Sequence, residues 1–397
     1  MRHPIVGVKA YGWDWSTRHG LSMHQAAARM AAQGIDWALV QNLVDPLPAS
    51  AVDQAPPQGV YDDRDWVSAL QDQGLRVYQS SAVFFSPEDF ARDPDLRPVD
   101  QFGQVFEPFG WYHGLCPTHP RHLEHKAERL AQAIGQTRPD GVFLSFIRFP
   151  GFWEMWLPSM RRSRIREYCF CERCMTRFFA ATSIDPPAGG LPAWRLALCG
   201  ELRARWTDWK CGWIAAVVQR LRAAVLEARP GLDLVLNGFG LGRDDLGNAV
   251  EEVLGQRLGA LEASVDHFDL MFYHQILKRE SAPWIARRIA QARSETGRNL
   301  LACLQVRAEY LEPLYVRGRR RLRIGDREWE GALRAVASAG ADGVLAYSWR
   351  DLLADEATGG SRVRELQRYR DGSLAAASPG VRTGAATGPP PAAPTEL

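Results

Sequence analysis

A closed (β/α)8 barrel is the fold class the sequence predicts, and three observations lead to it. Eight short apolar segments recur along the 397 residues. Stretches with helical patterning separate them. Several of the apolar segments, such as Gly141-Val-Phe-Leu-Ser-Phe146 and Asp233-Leu-Val-Leu-Asn237, are almost continuously apolar. Strands covered on both faces in a parallel sheet have this composition. Eight such alternations close most economically into a barrel. An open doubly wound sheet is the alternative, but no GxGxxG follows the first strand to support a nucleotide site there.

In chain order, the strand candidates are Ile5–Ala10, Trp37–Gln41, Arg76–Ser80, Gly141–Phe146, Leu232–Asn237, Phe268–Tyr273, Leu300–Gln305 and Gly343–Ser348. The Ala-rich stretch His24–Ala32 reads as a helix stopped by Gly34, a C-cap signal. Over Pro120–Thr137, Leu123, Ala127, Leu130, Ala131 and Ile134 recur at helical spacing. Trp284–Thr296 and Arg327–Ala339 each end before a glycine. About 85 residues separate the fourth strand from the fifth, and they hold a cysteine cluster, the Pro/Gly-rich Pro186–Pro192 and a long helix over Trp194–Ala228. Residues 1–372 are therefore expected to form one barrel with a Cys-rich, helical insertion over 151–228. Residues 373–397, rich in Ala, Pro, Gly and Thr, bury too little apolar surface to offset their ordering entropy and are expected to be a disordered tail.

Composition narrows the function. Apolar residues make up 46% of the chain, and 48 Lys plus Arg against 46 Asp plus Glu leave a formal charge of +2. That balance offers no field for nucleic acid or an anionic membrane. The basic run Arg317–Arg323 is short and expected to be a solvated loop. No apolar segment follows a basic start and no stretch of 18 apolar residues occurs, so neither a secretory signal nor a membrane span is expected. The cysteine count is odd, seven, and four of the cysteines have metal-like spacing. This favours a reducing, cytoplasmic compartment.

The four are Cys116, in Leu-Cys-Pro-Thr-His-Pro, and Cys169, Cys171 and Cys174, in a CxCxxC run. Four thiolates satisfy the tetrahedral preference of zinc and leave no open position, so a structural zinc site is expected. Cys199, Cys211 and Cys303 read as small buried apolar residues.

Function in a (β/α)8 barrel sits at the C-terminal strand ends. The residues just past the strands are aromatics, amides, Arg, His and carboxylates. They include Trp13, Asp14, Arg148, Trp153, Glu154, Asn237, His274, Glu309, Trp349 and Asp351. Aromatic faces stack on sugar C–H faces while amides and charges bind hydroxyls, so a carbohydrate pocket is expected. Hydrolysing a glycoside takes two carboxylates across the scissile bond. Glu154 after strand 4 and Glu309 after strand 7 are the natural pair, as acid/base and nucleophile. Trp13, Asp14, Arg148, Trp153, Asn237, His274, Trp349 and Asp351 would line the sugar site. Two other readings stay open: a non-catalytic carbohydrate-binding barrel, and a sugar-acid lyase or isomerase using His274 or Lys9, with Arg148 on a carboxylate.

The stretch Leu115–Phe179 resembles family 42 glycoside hydrolases, β-galactosidases in which a Cys-Pro loop and a later CxCxxC after strand 4 bind zinc. Pro139-Asp-Gly-Val-Phe-Leu-Ser-Phe-Ile-Arg-Phe-Pro150 resembles the strand-4 motif of glycosyl-hydrolase-like barrels. The resemblance implies a hydrolytic barrel with zinc on Cys116, Cys169, Cys171 and Cys174. Two departures stand out. The Asn-Glu pair that ends strand 4 in the β-galactosidases is absent, and Ser145 stands where the hydrolase-like motif has Asp. Either Glu154 has taken over the acid's role, or hydrolysis is lost or altered.

Overall fold

The structure is a computed structural model that describes residues 3–48, 61–108, 110–308, 320–321 and 323–374. Eight parallel strands close a barrel in sequence order, from β1 to β8 and back to β1. They are β1 Ile5–Ala10, β2 Trp37–Val40, β3 Arg76–Ala82, β4 Gly141–Ser145, β5 Asp233–Phe239, β6 His267–Phe272, β7 Asn299–Gln305 and β8 Gly343–Tyr347. Two strands run two residues past the expected end. In β3, Ser81 and Ala82 pair with Leu144 and Ser145; in β5, Gly238 and Phe239 pair with Leu270 and Met271. Serine and glycine read as breakers in sequence, but here the ladder satisfies their backbone groups.

Alternate residues of each strand point into the barrel, and the interior is graded from base to mouth. At the base Trp37 packs on Tyr78 and His267, with ring centroids 4.4 and 4.8 Å apart. Strands approach closely where β4 and β8 begin. A Cβ on Gly141 would come within 2.6 Å of the Asp233 carbonyl oxygen, and one on Gly343 within 2.5 Å of the Ile5 carbonyl oxygen. Higher up the filling turns polar, and this polar layer is the floor of the site.

Helices wrap the outside. Met23–Ala32 is opened by a capping box in which Ser22 and Gln25 satisfy each other's backbone N–H groups. Pro120–Thr137 packs its Ala127, Leu130 and Ile134 inward, against the 26-residue helix Arg203–Ala228. Ser281–Glu295 and Asp326–Ser338 cover β6 to β8. Between β4 and Arg203–Ala228, the chain forms the helices Glu172–Thr182 and Gly190–Cys199. Of the expected tail, residues 375–397 lie outside the described residues.

Candidate active site and cysteine centre

A cavity of about 140 Å³ opens at the C-terminal ends of the strands. β1 contributes Lys9 and leads to Tyr11, β4 contributes Phe143 and Ser145 and leads to Phe146 and Arg148. Asn237, Met271, Gln305 and Tyr347 come from β5 to β8, and Trp111, Trp153, Glu154 and Tyr273 from the loops.

The chain leaves β4 by a sharp turn. Phe146 sits at φ +55°, a left-handed conformation that costs a bulky residue about 1 kcal/mol or more and must be held by its surroundings. Gln256 holds it, donating from Nε2 to the carbonyl oxygens of Ile147 (2.8 Å) and Asn237 (3.2 Å). The Phe149 N–H donates to the Leu254 carbonyl at 2.9 Å. The turn buries Ile147 and brings Arg148 to the cavity wall. The Arg148 guanidinium carbon lies 5.5, 5.1 and 5.2 Å from the ring centroids of Tyr112, Phe146 and Phe239.

Glu154 sits on the following helical turn, Trp153–Met155, and only 6% of it is exposed. Its Oε2 is buried without a hydrogen-bond partner among the described residues. Burial pushes its carboxyl up to about 7, against the pull of Arg148, of its own backbone N–H and of Arg320. A carboxyl at that value is half protonated at neutral pH, the state a general acid needs. Arg320 donates to the carbonyl oxygens of Glu154 (2.9 Å) and Ile276, which ties the turn to the β6 exit. The solvated loop expected over Arg317–Arg323 is thus corrected at Arg320, which is buried because it satisfies these two carbonyls. Residues 317–319 and 322 lie outside the described residues.

The floor is an ion pair that crosses the barrel. Lys9 Nζ lies 2.7 Å from Asp269 Oδ2, which also accepts from Asn237 Nδ2 at 2.9 Å. Burial works to lower the Lys9 ammonium, but Asp269 overrides it and holds Lys9 above its ordinary value. Beside the pair, Tyr11 hydrogen-bonds Ser80 at 3.0 Å, and burial pushes the Tyr11 phenol and the Cys303 thiol each up to about 12. Asp269 was not among the sequence candidates. The readable signal is a lone carboxylate inside an apolar strand, matched by a lone lysine inside β1.

Of the candidate site residues, Arg148, Trp153, Glu154 and Asn237 stand together on the cavity wall. Five others are not among its lining residues, and each has a partner elsewhere. Trp13 is buried edge-on to Tyr61 at 5.6 Å. Asp14 lies 2.7 Å from Arg18 and 3.9 Å from Arg350. His274 Nε2 lies 2.8 Å from Glu328. Trp349 donates to Gln33 at 2.9 Å, and Asp351 accepts from the Ser348 hydroxyl at 2.7 Å. Asp14, Trp349 and Asp351 share a position in the first turn of a helix that begins within a few residues of a strand end, Asp14–Thr17 after β1 and Trp349–Ala357 after β8. Glu309 lies outside the described residues.

The four cysteines converge as expected. The Sγ atoms of Cys116, Cys169, Cys171 and Cys174 all lie within 4.8 Å of one another, with Cys116 to Cys174 at 3.5 Å and to Cys171 at 3.8 Å. Four ligands at about 2.3 Å from a tetrahedral zinc would be about 3.8 Å apart, so this donor set fits a metal ion of that kind. Cys171 stands at the N-cap position of the helix Glu172–Thr182, and Cys174 lies in its first turn. Cys116 comes from the loop before Pro120–Thr137. The cluster is linked to the mouth through the backbone: the Leu115 N–H donates to Phe84 at 3.0 Å and Phe170 N–H to Val99 at 2.7 Å. Trp111, five residues before Cys116 in the chain, lines the cavity.

No protein-family model and no curated protein matches the chain. Solved structures do match its fold. The glycoside hydrolase domain of PgaB (BpsB) from Bordetella bronchiseptica superposes with a TM-score of 0.62 at 16% identity, over 91% of this chain and 98% of that one. The catalytic domain of β-amylase from Paenibacillus polymyxa gives 0.61 at 11%, over 94% of this chain and 100% of that one. The β-galactosidase Gan42B from G. stearothermophilus, of family 42, gives 0.57 at 12%; this chain spans 57% of its length. The chain therefore shares the eight-stranded barrel fold of these glycoside hydrolases.

Proposed function

We propose that the protein hydrolyses a glycosidic bond, with Glu154 as the general acid. The observation that carries this reading is the state of Glu154: a carboxyl on the cavity wall, buried, with Oε2 unpartnered and its proton retained to about pH 7. Oε2 would deliver that proton to the leaving oxygen as the bond to the anomeric carbon breaks. Trp111 and Trp153 provide faces for the sugar ring, and Asn237 a polar group for its hydroxyls. The second carboxylate in this reading is Glu309, on the segment after β7, acting as nucleophile. Replacing Glu154 or Glu309 by Gln is expected to lower turnover of a cleaved glycoside by about 10²–10⁴-fold. Wild-type turnover in both variants would exclude the assignment.

One observation favours a second reading. Among the described residues lining the cavity, Glu154 is the only carboxylate, which suits a barrel that binds carbohydrate without cleaving it. Calorimetric sugar binding without turnover across a broad glycoside panel would establish it. The lyase or isomerase reading is weaker, because Lys9 is held charged by Asp269 and His274 is engaged by Glu328.

The cysteine centre is, in our reading, a structural zinc site that fixes the loop carrying Trp111 against the β4 insertion. When bound, zinc would supply cross-linking and no open coordination position. No helix among the described residues is long and apolar enough to cross a membrane. A metal site built on four thiolates requires its cysteines reduced, so this reading goes with a reducing, cytoplasmic setting.

A further inference from the structure

The cavity wall carries a guanidinium that forms no ion pair among the described residues. Three ionisable side chains that carry a charge near neutral pH line it: Lys9, Arg148 and Glu154. Lys9 is matched by Asp269 below the floor. Glu154 is held near half protonation by burial. Arg148 is 4% exposed, and it forms no ion pair with a carboxylate among the described residues. Its Nε is buried with no hydrogen-bond partner among the described residues, and the Tyr112 hydroxyl oxygen accepts a hydrogen bond from another of its nitrogens. The rings of Tyr112, Phe146 and Phe239 surround it. Ring faces around a guanidinium stabilise its charge, but apart from the Tyr112 hydroxyl they leave its N–H donors, Nε among them, without acceptors. A buried charge is costly unless paired, and a guanidinium is shaped to pair with a planar carboxylate through two parallel hydrogen bonds.

We propose that Arg148 receives the carboxylate of an acidic sugar, so that the site takes uronic-acid-containing glycosides in preference to neutral ones. This rests on the reading of the cavity as a sugar site and adds the substrate class to it. Neutral hydroxyls would leave the Arg148 charge uncompensated in a dry pocket. A uronate would supply both the counter-charge and the acceptors.

The test is calorimetric binding of the methyl glycosides of D-glucuronate and D-galacturonate, with the methyl glycosides of D-glucose and D-galactose as neutral counterparts. It is run on the full chain carrying Glu154→Gln, so that nothing is turned over. At least one uronate is expected to bind about 10-fold or more tightly than its neutral counterpart, as a charged hydrogen-bonded pair predicts. Adding Arg148→Met, which keeps the packing between the rings, is expected to bring the preference within about 2-fold. Arg148→Lys, which keeps the charge but not the fork, is expected to retain part of it and serves should the Met variant not fold. Equal affinities for acid and neutral sugars, no binding of either uronate, or a preference that survives Arg148→Met would each overturn the proposal. The wild-type protein separates this outcome from that of the hydrolase reading. Uronate preference without uronide cleavage leaves this proposal standing and removes hydrolysis. Cleavage of neutral glycosides without uronate preference does the reverse.

Discussion

Glu154→Gln is expected to make the protein more stable, and only at high pH. Burial raises the Glu154 carboxyl from an ordinary 4.5 to about 7. The difference, 7 − 4.5 = 2.5, corresponds to about 3 kcal/mol at about 1.36 kcal/mol per pH unit. Because the folded-state value is the higher one, the folded protein binds more protons than the unfolded chain between pH 4.5 and 7. Stability is therefore fully present below pH 4.5 and falls as pH rises through 7, to a loss of order 3 kcal/mol above it. Glutamine keeps the shape and cannot ionise, so the variant escapes that loss. At about 2.1 cal/mol/K per residue, a chain of this length unfolds with an entropy of about 0.8 kcal/mol/K, so the gain appears as a rise in Tm of about 4 °C. Scanning calorimetry of wild type and variant at pH 5 and pH 8.5 measures it. The expected result is nearly equal Tm at pH 5 and a variant several degrees higher at pH 8.5. A difference that does not change with pH would refute a raised carboxyl at this position.

Other perturbations separate the site from its supports. Asp269→Asn removes the counter-charge of Lys9 inside the barrel and is expected to destabilise by about 3–5 kcal/mol, read as a lowered denaturation midpoint. Trp349→Phe deletes the indole donor to Gln33, away from the cavity. It is expected to cost about 1–3 kcal/mol of stability without changing sugar affinity. Trp153→Ala, on the wall, is expected to weaken sugar binding by more than about 10-fold, a loss of more than about 1.4 kcal/mol. The protein is expected to carry about one zinc per chain by elemental analysis and Cys171→Ser much less, with a lower Tm in the variant and after chelation.

The barrel was legible because strands buried on both faces must be largely apolar, and β4, β7 and β8 carry that signature plainly. The last residues of β3 and β5 were not, because Ser81 and Gly238 resemble turn residues until a neighbouring strand pairs with them. At the site, Arg148, Trp153, Glu154 and Asn237 could be found by reading past strand ends. Asp269 could not be found that way, since it lies within β6, one alternation below the rim. Trp349 and Asp351 sit at the right place in the chain but on the first turn of a helix, and distance past a strand does not tell which way a side chain turns. Part of that answer was readable: Ser348-x-x-Asp351 has the spacing of a capping box, which commits the carboxylate to the backbone. The cysteines were the most legible feature, because the donor set alone states its coordination chemistry.

The central claim, that Glu154 protonates the leaving group, is tested most directly by comparing Glu154→Gln with wild type on two glycosides of the same sugar. One carries a methoxide leaving group, which needs its proton, and the other a 2,4-dinitrophenolate, which does not. The account predicts a loss of about 10²-fold or more on the methyl glycoside and little loss in bond cleavage on the dinitrophenyl one. An equal loss on both would contradict it.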